Sequence, residues 1–207
     1  MSEWEKKLNA FTVENFSGGI RDWASIHTEL RARKLKTVKP EAVAPQVKRK
    51  PSPLDALLGP PPLIVDVRDA EDFARDHPSG AVNVPLYTRM KEPRNAYEWY
   101  RTISFAIGLG MRPPVRNKQF LEQLAGFTGG KKDTPIFVIC GPGGTLETKD
   151  ERKLRDPRLP APIFGQYGAA SRSLIAAHDM LVNGGYKTVS HVEGGYAAWC
   201  SRRLDIE

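Results

Sequence analysis

The run Ile136, Phe137, Val138, Ile139 is apolar at every position, ends on Cys140 and opens into Gly141, Pro142, Gly143 and Gly144. A short apolar run without polar alternation reads as a strand buried on both faces, the kind found inside parallel sheets. A thiol in the glycine-rich turn after such a strand stands where open α/β sheets meet their ligands. Residues 145–167 are polar and show no periodicity, and only then do Ser171, Arg172 and Ser173 open the helical run Leu174, Ile175, Ala176, Ala177. The candidate site is therefore interrupted by an insertion.

The rest of the carboxyl-terminal two thirds repeats the alternation. Leu63, Ile64, Val65, Asp66 and Val67 form a second continuous strand with one acid in it. Glu71 to Ala74 make a short helix, and Val82, Asn83, Val84 another strand. Residues 95–125 read as two helices, one rich in aromatics from Tyr97 to Ile107, one with the stripe Phe120, Leu121, Leu124. Arg112, Pro113 and Pro114 break them apart. A helix over 171–183, a strand over 188–192 and a last helical stretch ending at Trp199 complete the series. Strands alternating with helices predict an α/β fold of three layers, a parallel sheet of about five strands with helices on both faces.

Residues 1–62 read as an extension to a domain at 63–207. Ile20, Trp23, Ile26, His27 and Leu30 recur at helical spacing, so 20–34 is expected to be an amphipathic helix. Its apolar stripe must be covered, either by the chain's own core or by a partner. The link over 38–62 carries Pro40, Pro45, Pro51, Pro53 and Pro60 to Pro62, which predicts an extended segment lying on a partner, such as protein subunits of a larger complex. Residues 31–50 hold eight Lys and Arg against the single acid Glu41. Such a run attracts phosphates, but it contains no aromatic residue to stack on bases, so nucleic acid is not the favoured partner.

Composition narrows the class further. The longest nearly apolar run, 103–111, is too short to cross a bilayer, so no transmembrane segment is expected. Two cysteines cannot form a disulfide framework, and Cys140 and Cys200 match no zinc spacing. His178 and His191 fall on different elements without carboxylate or cysteine spacing, so no metal and no cofactor is assigned. His77 is read as structural. The amino end has neither a signal peptide's apolar core nor a transit peptide's scarcity of acids, which leaves a cytosolic protein or one whose address has been removed.

Several of these residues together resemble the rhodanese-like domain. Asp66, Val67, Arg68, Glu71, Phe73, His77, Gly80, Ala81, Asn83 and Pro85 are similar to its first signature. Cys140, the Arg172–Ser173 pair, Gly185, Tyr186, Glu193, Gly194, Gly195 and Trp199 are similar to the second half. The resemblance implies that Cys140 is the sulfur-carrying nucleophile and Arg172 the oxyanion-binding arginine. Ser173 would open the helix, with Gly141, Gly143 and Gly144 supplying backbone N–H groups. It also implies a sulfur donor and acceptor as substrates.

The insertion over 145–167 departs from that family, whose cysteine and arginine share one short loop. Lengthening a loop about eightfold costs only about 2 kcal/mol, so closure is not forbidden. The expected loss is the fixed cradle, because Gly141 to Gly144 would no longer be tied to the helix amino end. With the insertion, the chain is similar to chloroplast rhodanese-like proteins of plants and algae. That implies a photosynthetic eukaryote and an organelle, chloroplast or mitochondrion. Three classes of function follow: a catalytically weak accessory module of a respiratory, photosynthetic or ribosomal assembly; a thiosulfate or persulfide sulfurtransferase using Cys140; and a phosphatase, which would need an unbroken loop.

Overall fold

The structure is a computed structural model that describes residues 23–47, 61–90, 92–109, 113–155 and 167–207. The described chain falls into two compact units, one holding Trp23–Leu86 with Gln119–Glu207, the other holding Tyr87–Lys118.

The larger unit is built on a parallel five-stranded sheet. Its elements include β1 (Lys36–Val38), β2 (Leu63–Asp66), β3 (Val82–Asn83), β6 (Ile136–Ile139) and β7 (Val189–Val192), in the order β1-β7-β6-β2-β3. β2, β6 and β7 lie in the interior; β6 carries no polar residue, whereas β2 ends on Asp66 and β7 holds Ser190 and His191, all three buried. Register runs Leu63 to Ile136 and Asp66 to Ile139 between β2 and β6, and Val138 to His191 between β6 and β7.

Four of the five strands fall where the sequence places them; the fifth does not. β1 pairs parallel with β7, Lys36 opposite Ser190 and Val38 opposite Val192, so the sheet edge comes from the expected extension. The link that was expected to run extended continues instead into α2 (Pro40–Val47). Pro40 sits at the first helical position, where its missing N–H costs nothing, so this proline starts a helix rather than marking a linker. Helix α1 (Trp23–Ala32) precedes β1 and falls within the helix expected over 20–34. Leu30 and Val43 are both fully buried in this chain's own core. For residues 38–47 the expected docking on a partner is thus corrected to packing on the domain itself, and of the two covers open to α1 it is the chain's own core that buries Leu30. Ile20, residues 48–60 and the apolar patch at 54–58 lie outside the described residues.

Period-two alternation along the strands divides the core. Ile64, Phe137, Ile139 and Val192 meet Val43 of α2 and Tyr196 and Trp199 of α8 (Gly195–Ser201). Arg202 at the end of α8 forms an ion pair with Glu41 of α2. α7 (Arg172–His178), which runs on into a π-helical turn at Asp179–Asn183, packs on β6 and β7, and α1 lies against α7. Helices therefore flank the sheet, as expected. α3 (Ala70–Arg75) follows β2, capped by the Asp69 carboxylate on the Glu71 N–H at 3.0 Å. α5 (Phe120–Thr128) leads into β6 and stops at left-handed Gly129.

In the smaller unit, β4 (Tyr87–Arg89) pairs antiparallel with β5 (Pro114–Arg116), and α4 (Ala96–Leu109) lies between them in sequence. The sequence pattern marks Pro114 as a breaker and predicts no strand there; Pro114 instead stands at the first residue of β5, a position that tolerates proline. Arg116 donates to the Tyr87 hydroxyl at 3.1 Å and lies over the same ring.

Candidate functional site

Cys140 follows the last residue of β6, at the carboxyl edge of the sheet, with only 1% of its surface exposed. The turn after it is latched through its carbonyls. The Tyr196 N–H donates to the Cys140 carbonyl at 2.8 Å and the Ala197 N–H to the Gly141 carbonyl at 3.0 Å, both from the first turn of α8. The Gly143 carbonyl accepts from Ser171 Oγ at 2.7 Å, from Ser173 Oγ at 3.3 Å and from His191 Nε2. By contrast, the backbone N–H groups of Gly141, Gly143 and Gly144 have no hydrogen-bond acceptor among the described residues. The loop that carries the thiol thus turns its acceptors to the scaffold and keeps its donors uncommitted.

Glycine is required twice here. Gly143 and Gly144 have φ of 79° and 68°, and a Cβ at Gly144 would fall 2.6 Å from both the Ala169 carbonyl and Ser171 Cβ. At Gly143 it would run into the backbone of Gly194 and Gly195.

The insertion does not untie this turn, and the expected loss of the cradle is corrected. Thr145 and Ala169 exchange two backbone hydrogen bonds, each 2.9 Å, which shut the insertion at its root and set Gly144 against Ser171. Ser171 then caps α7, its hydroxyl accepting the Leu174 N–H at 3.2 Å while donating to Gly143. The insertion, expected to lack regular structure, contains α6 (Lys149–Arg155), with acids in its first turn and bases in its last.

Helix α1 grips both stems of that insertion. Trp23 Nε1 donates to the Tyr167 carbonyl at 2.9 Å and His27 Nε2 to the Leu146 carbonyl at 2.9 Å. Arg31 forms a two-pronged pair with Glu151, 2.7 Å on each side, and holds that carboxyl down at about 2.

Ser173 is brought to the thiol: its Oγ lies 3.1 Å from Cys140 Sγ, and the residue is fully buried. Arg172, one position earlier, is exposed at the first residue of α7. It does not pair with Asp66, the buried acid of β2. Asp66 is bonded to Arg68 instead, at 2.8 to 3.2 Å, with a further bond from the Arg68 N–H. Burial pushes the Asp66 carboxyl up, and the Arg68 bonds pull against that rise. The Arg68 guanidinium lies 3.8 Å from the ring centre of Tyr196, so the buried pair braces the same turn of α8 that holds Cys140.

The sequence places Ser171 at the opening of the helical run but gives it no role in the site; it is the cap of α7 and a latch on Gly143. His191, set aside there as a non-ligand, is a latch. A carbonyl only accepts, so Nε2 carries the hydrogen, while Nδ1 is buried without a partner among the described residues. Burial, opposed by the Gly143 bond, lowers its pKa to about 4, so the ring is neutral at physiological pH. The signal was a histidine inside an otherwise buried strand. Among the described residues no cluster of His, Cys, Asp or Glu could hold a metal ion, and no helix is long and apolar enough to cross a membrane.

Comparison with known proteins agrees with this architecture. The chain is 32% identical over 145 residues to the Rhodanese-like domain-containing protein 14, chloroplastic, of Arabidopsis thaliana, covering 70% of this chain and 57% of that protein. It is 26% identical over 140 residues to Thiosulfate sulfurtransferase 16, chloroplastic, of the same plant, covering 68% of this chain and 75% of the relative. The chain spans little more than half the length of the first of these. Among solved structures, a thiosulfate sulfurtransferase from Pseudomonas aeruginosa aligns with 89% of this chain and 22% of its own, at 16% identity and a TM-score of 0.44. The rhodanese-like domain family matches residues 50–202. With three quarters of its length inside that match, on a five-stranded parallel sheet, the chain belongs to the rhodanese-like domain family.

Proposed function

We propose that the protein is a sulfurtransferase of low turnover in which Cys140 carries sulfur as a persulfide, taken from thiosulfate or another persulfide. The observation that carries this reading is the latched turn. Cys140 stands beside the Ser173 hydroxyl in a loop whose Cys140, Gly141 and Gly143 carbonyls are held from outside and whose glycine N–H groups are uncommitted among the described residues. Such donors favour a thiolate, and a thiolate is the nucleophile. It would attack the outer sulfur of thiosulfate, forming the Sγ–S bond as the donor's S–S bond breaks and sulfite leaves with the electron pair. A second thiolate would then take the terminal sulfur and release Cys140 as thiolate.

The accessory-module reading rested mainly on an extension free to dock elsewhere. Burial of Leu30 and Val43 in this chain's own core removes much of that support, so the catalytic reading ranks first. A non-catalytic module remains the second reading, favoured by the 1% exposure of the thiol. An organellar location is supported by the chloroplastic names of the two relatives. The test is mass spectrometry of the full chain after incubation with thiosulfate. A sulfur-atom mass gain that maps to Cys140 and is discharged by cyanide supports transfer. No gain, with Cys140 still labelled by an alkylating reagent after unfolding, selects the non-catalytic module.

A further inference from the structure

Helix α4 (Ala96–Leu109) is built inside out. At about 100° per residue, Ala96, Trp99, Tyr100, Ile103 and Ile107 share an arc about 100° wide. That arc faces solvent: Trp99 is 56% exposed, Tyr100 60%, Ile103 51% and Ile107 83%. No charged residue falls within it. The two charged side chains of the helix, Glu98 and Arg101, lie on the other side with Thr102 and the buried Phe105. Arg101 donates to the Pro114 carbonyl at 3.3 Å, and Glu98 accepts the Arg94 N–H at 2.6 Å. An apolar stripe this continuous on a helix that already has an inward face marks an interaction surface.

The basic character of the segment that carries the stripe selects its partner. Residues 87–118 hold seven Lys and Arg against two Glu, so this short segment is itself strongly basic. Arg94 at the start of the helix and Lys118 beyond β5 are exposed. Tryptophan and tyrosine are the side chains that settle at headgroup depth, isoleucines reach the acyl boundary, and basic residues meet anionic headgroups. We propose that the solvent-facing side of α4 lies in the plane of an anionic membrane surface, anchoring the protein peripherally. Trp99, Ile103 and Ile107 are the inserting side chains. The sulfur chemistry at Cys140 has no part in this, and either can fail without the other.

Vesicle sedimentation of the full chain tests it, using phosphatidylcholine with and without about 30% phosphatidylglycerol at low salt. The protein is expected to pellet with the anionic vesicles and at least about tenfold less with phosphatidylcholine alone, and about 0.5 M salt should release it. Ile107→Glu and Trp99→Glu, whose side chains are exposed and whose folding is checked by circular dichroism, should each weaken binding about tenfold or more. Lys118→Glu should weaken it less and reduce the salt dependence. Absence of binding to anionic vesicles, or binding indifferent to both substitutions, overturns the proposal. So does a concentration-dependent dimer in sedimentation equilibrium that Ile107→Glu abolishes, because the face would then belong to a second copy.

Discussion

Ser173 Oγ lies 3.1 Å from Cys140 Sγ and 3.1 Å from Ser171 Oγ, so one buried hydroxyl joins the thiol to the cap of α7. It can accept from a thiol or donate to a thiolate, while Ser171 and His191 keep the Gly143 carbonyl satisfied in either case.

Loss of that hydroxyl should therefore act on the reactivity of the thiol. Ser173→Ala is expected to slow persulfide formation about tenfold or more, with Ser173→Thr recovering most of it. Cys140→Ser should abolish the persulfide and change stability by less than about 1 kcal/mol. The rate of persulfide formation, beside a urea melt of each variant, checks both. An unchanged rate for Ser173→Ala would mean the contact is packing alone.

Ser171 has two jobs, capping α7 and holding the Gly143 carbonyl. Ser171→Ala should cost about 1–2 kcal/mol in denaturant unfolding, more than an ordinary lost cap, and Ser171→Thr should restore more than half of it.

The buried His191 gives a pH dependence with a definite sign. Its folded pKa, about 4, lies below the ordinary imidazole value, so the unfolded state binds the proton more readily. Stability should be full above about pH 6.5 and fall by about 1.4 kcal/mol per pH unit as pH drops toward 4, then level off with respect to this group. His191→Gln should flatten that limb in melts recorded from pH 4 to 7. Retention of the full slope in the variant would assign it to another group.

Arg68→Met should destabilise the fold by about 3–5 kcal/mol at neutral pH, because it strands the Asp66 carboxylate in the core. The loss should shrink on acidification, as Asp66, already pushed up by burial, takes a proton. Denaturant melts at pH 5 and pH 8 distinguish this from simple loss of contact with Tyr196, which would be indifferent to pH.

The grip of α1 on the insertion predicts a local effect. Arg31→Ala combined with His27→Ala should cost about 1–3 kcal/mol in global unfolding, from the buried His27 rather than from the exposed ion pair. Yet it should speed amide exchange over residues 145–151 about tenfold or more while β6 stays protected. Equal acceleration in both regions would show that the two substitutions act on the whole domain.

The interior strands were legible in the sequence because burial on both faces leaves its mark: Ile136 to Ile139 and Leu63 to Val67 admit one acid between them. β1 left no such mark. Lys36 and Thr37 are exposed on a three-residue edge strand, and nothing local distinguishes them from linker. The thiol and its helix were readable from the Cys140 turn and the Ser171 cap, but the closure of the insertion was not. Thr145 and Ala169 pair through backbone atoms, which carry no side-chain signature, and the grip of Trp23 and His27 is on carbonyls. His191 was visible only as a polar residue in a strand, and its role depends on a neighbour in another loop.

The pairing of β1 with β7 also has a consequence in time. Lys36 meets Ser190 across most of the chain, so during synthesis the first strand of the sheet must wait for the last before its edge is satisfied. Until then α1 and α2 hold apolar faces with nowhere to rest, since α7 and α8 are made late. Contacts of such separation slow folding and leave nascent chains open to wrong pairings. A ribosome-stalled chain ending before β7 should therefore be held by chaperones and cut readily by protease, whereas the released chain should resist.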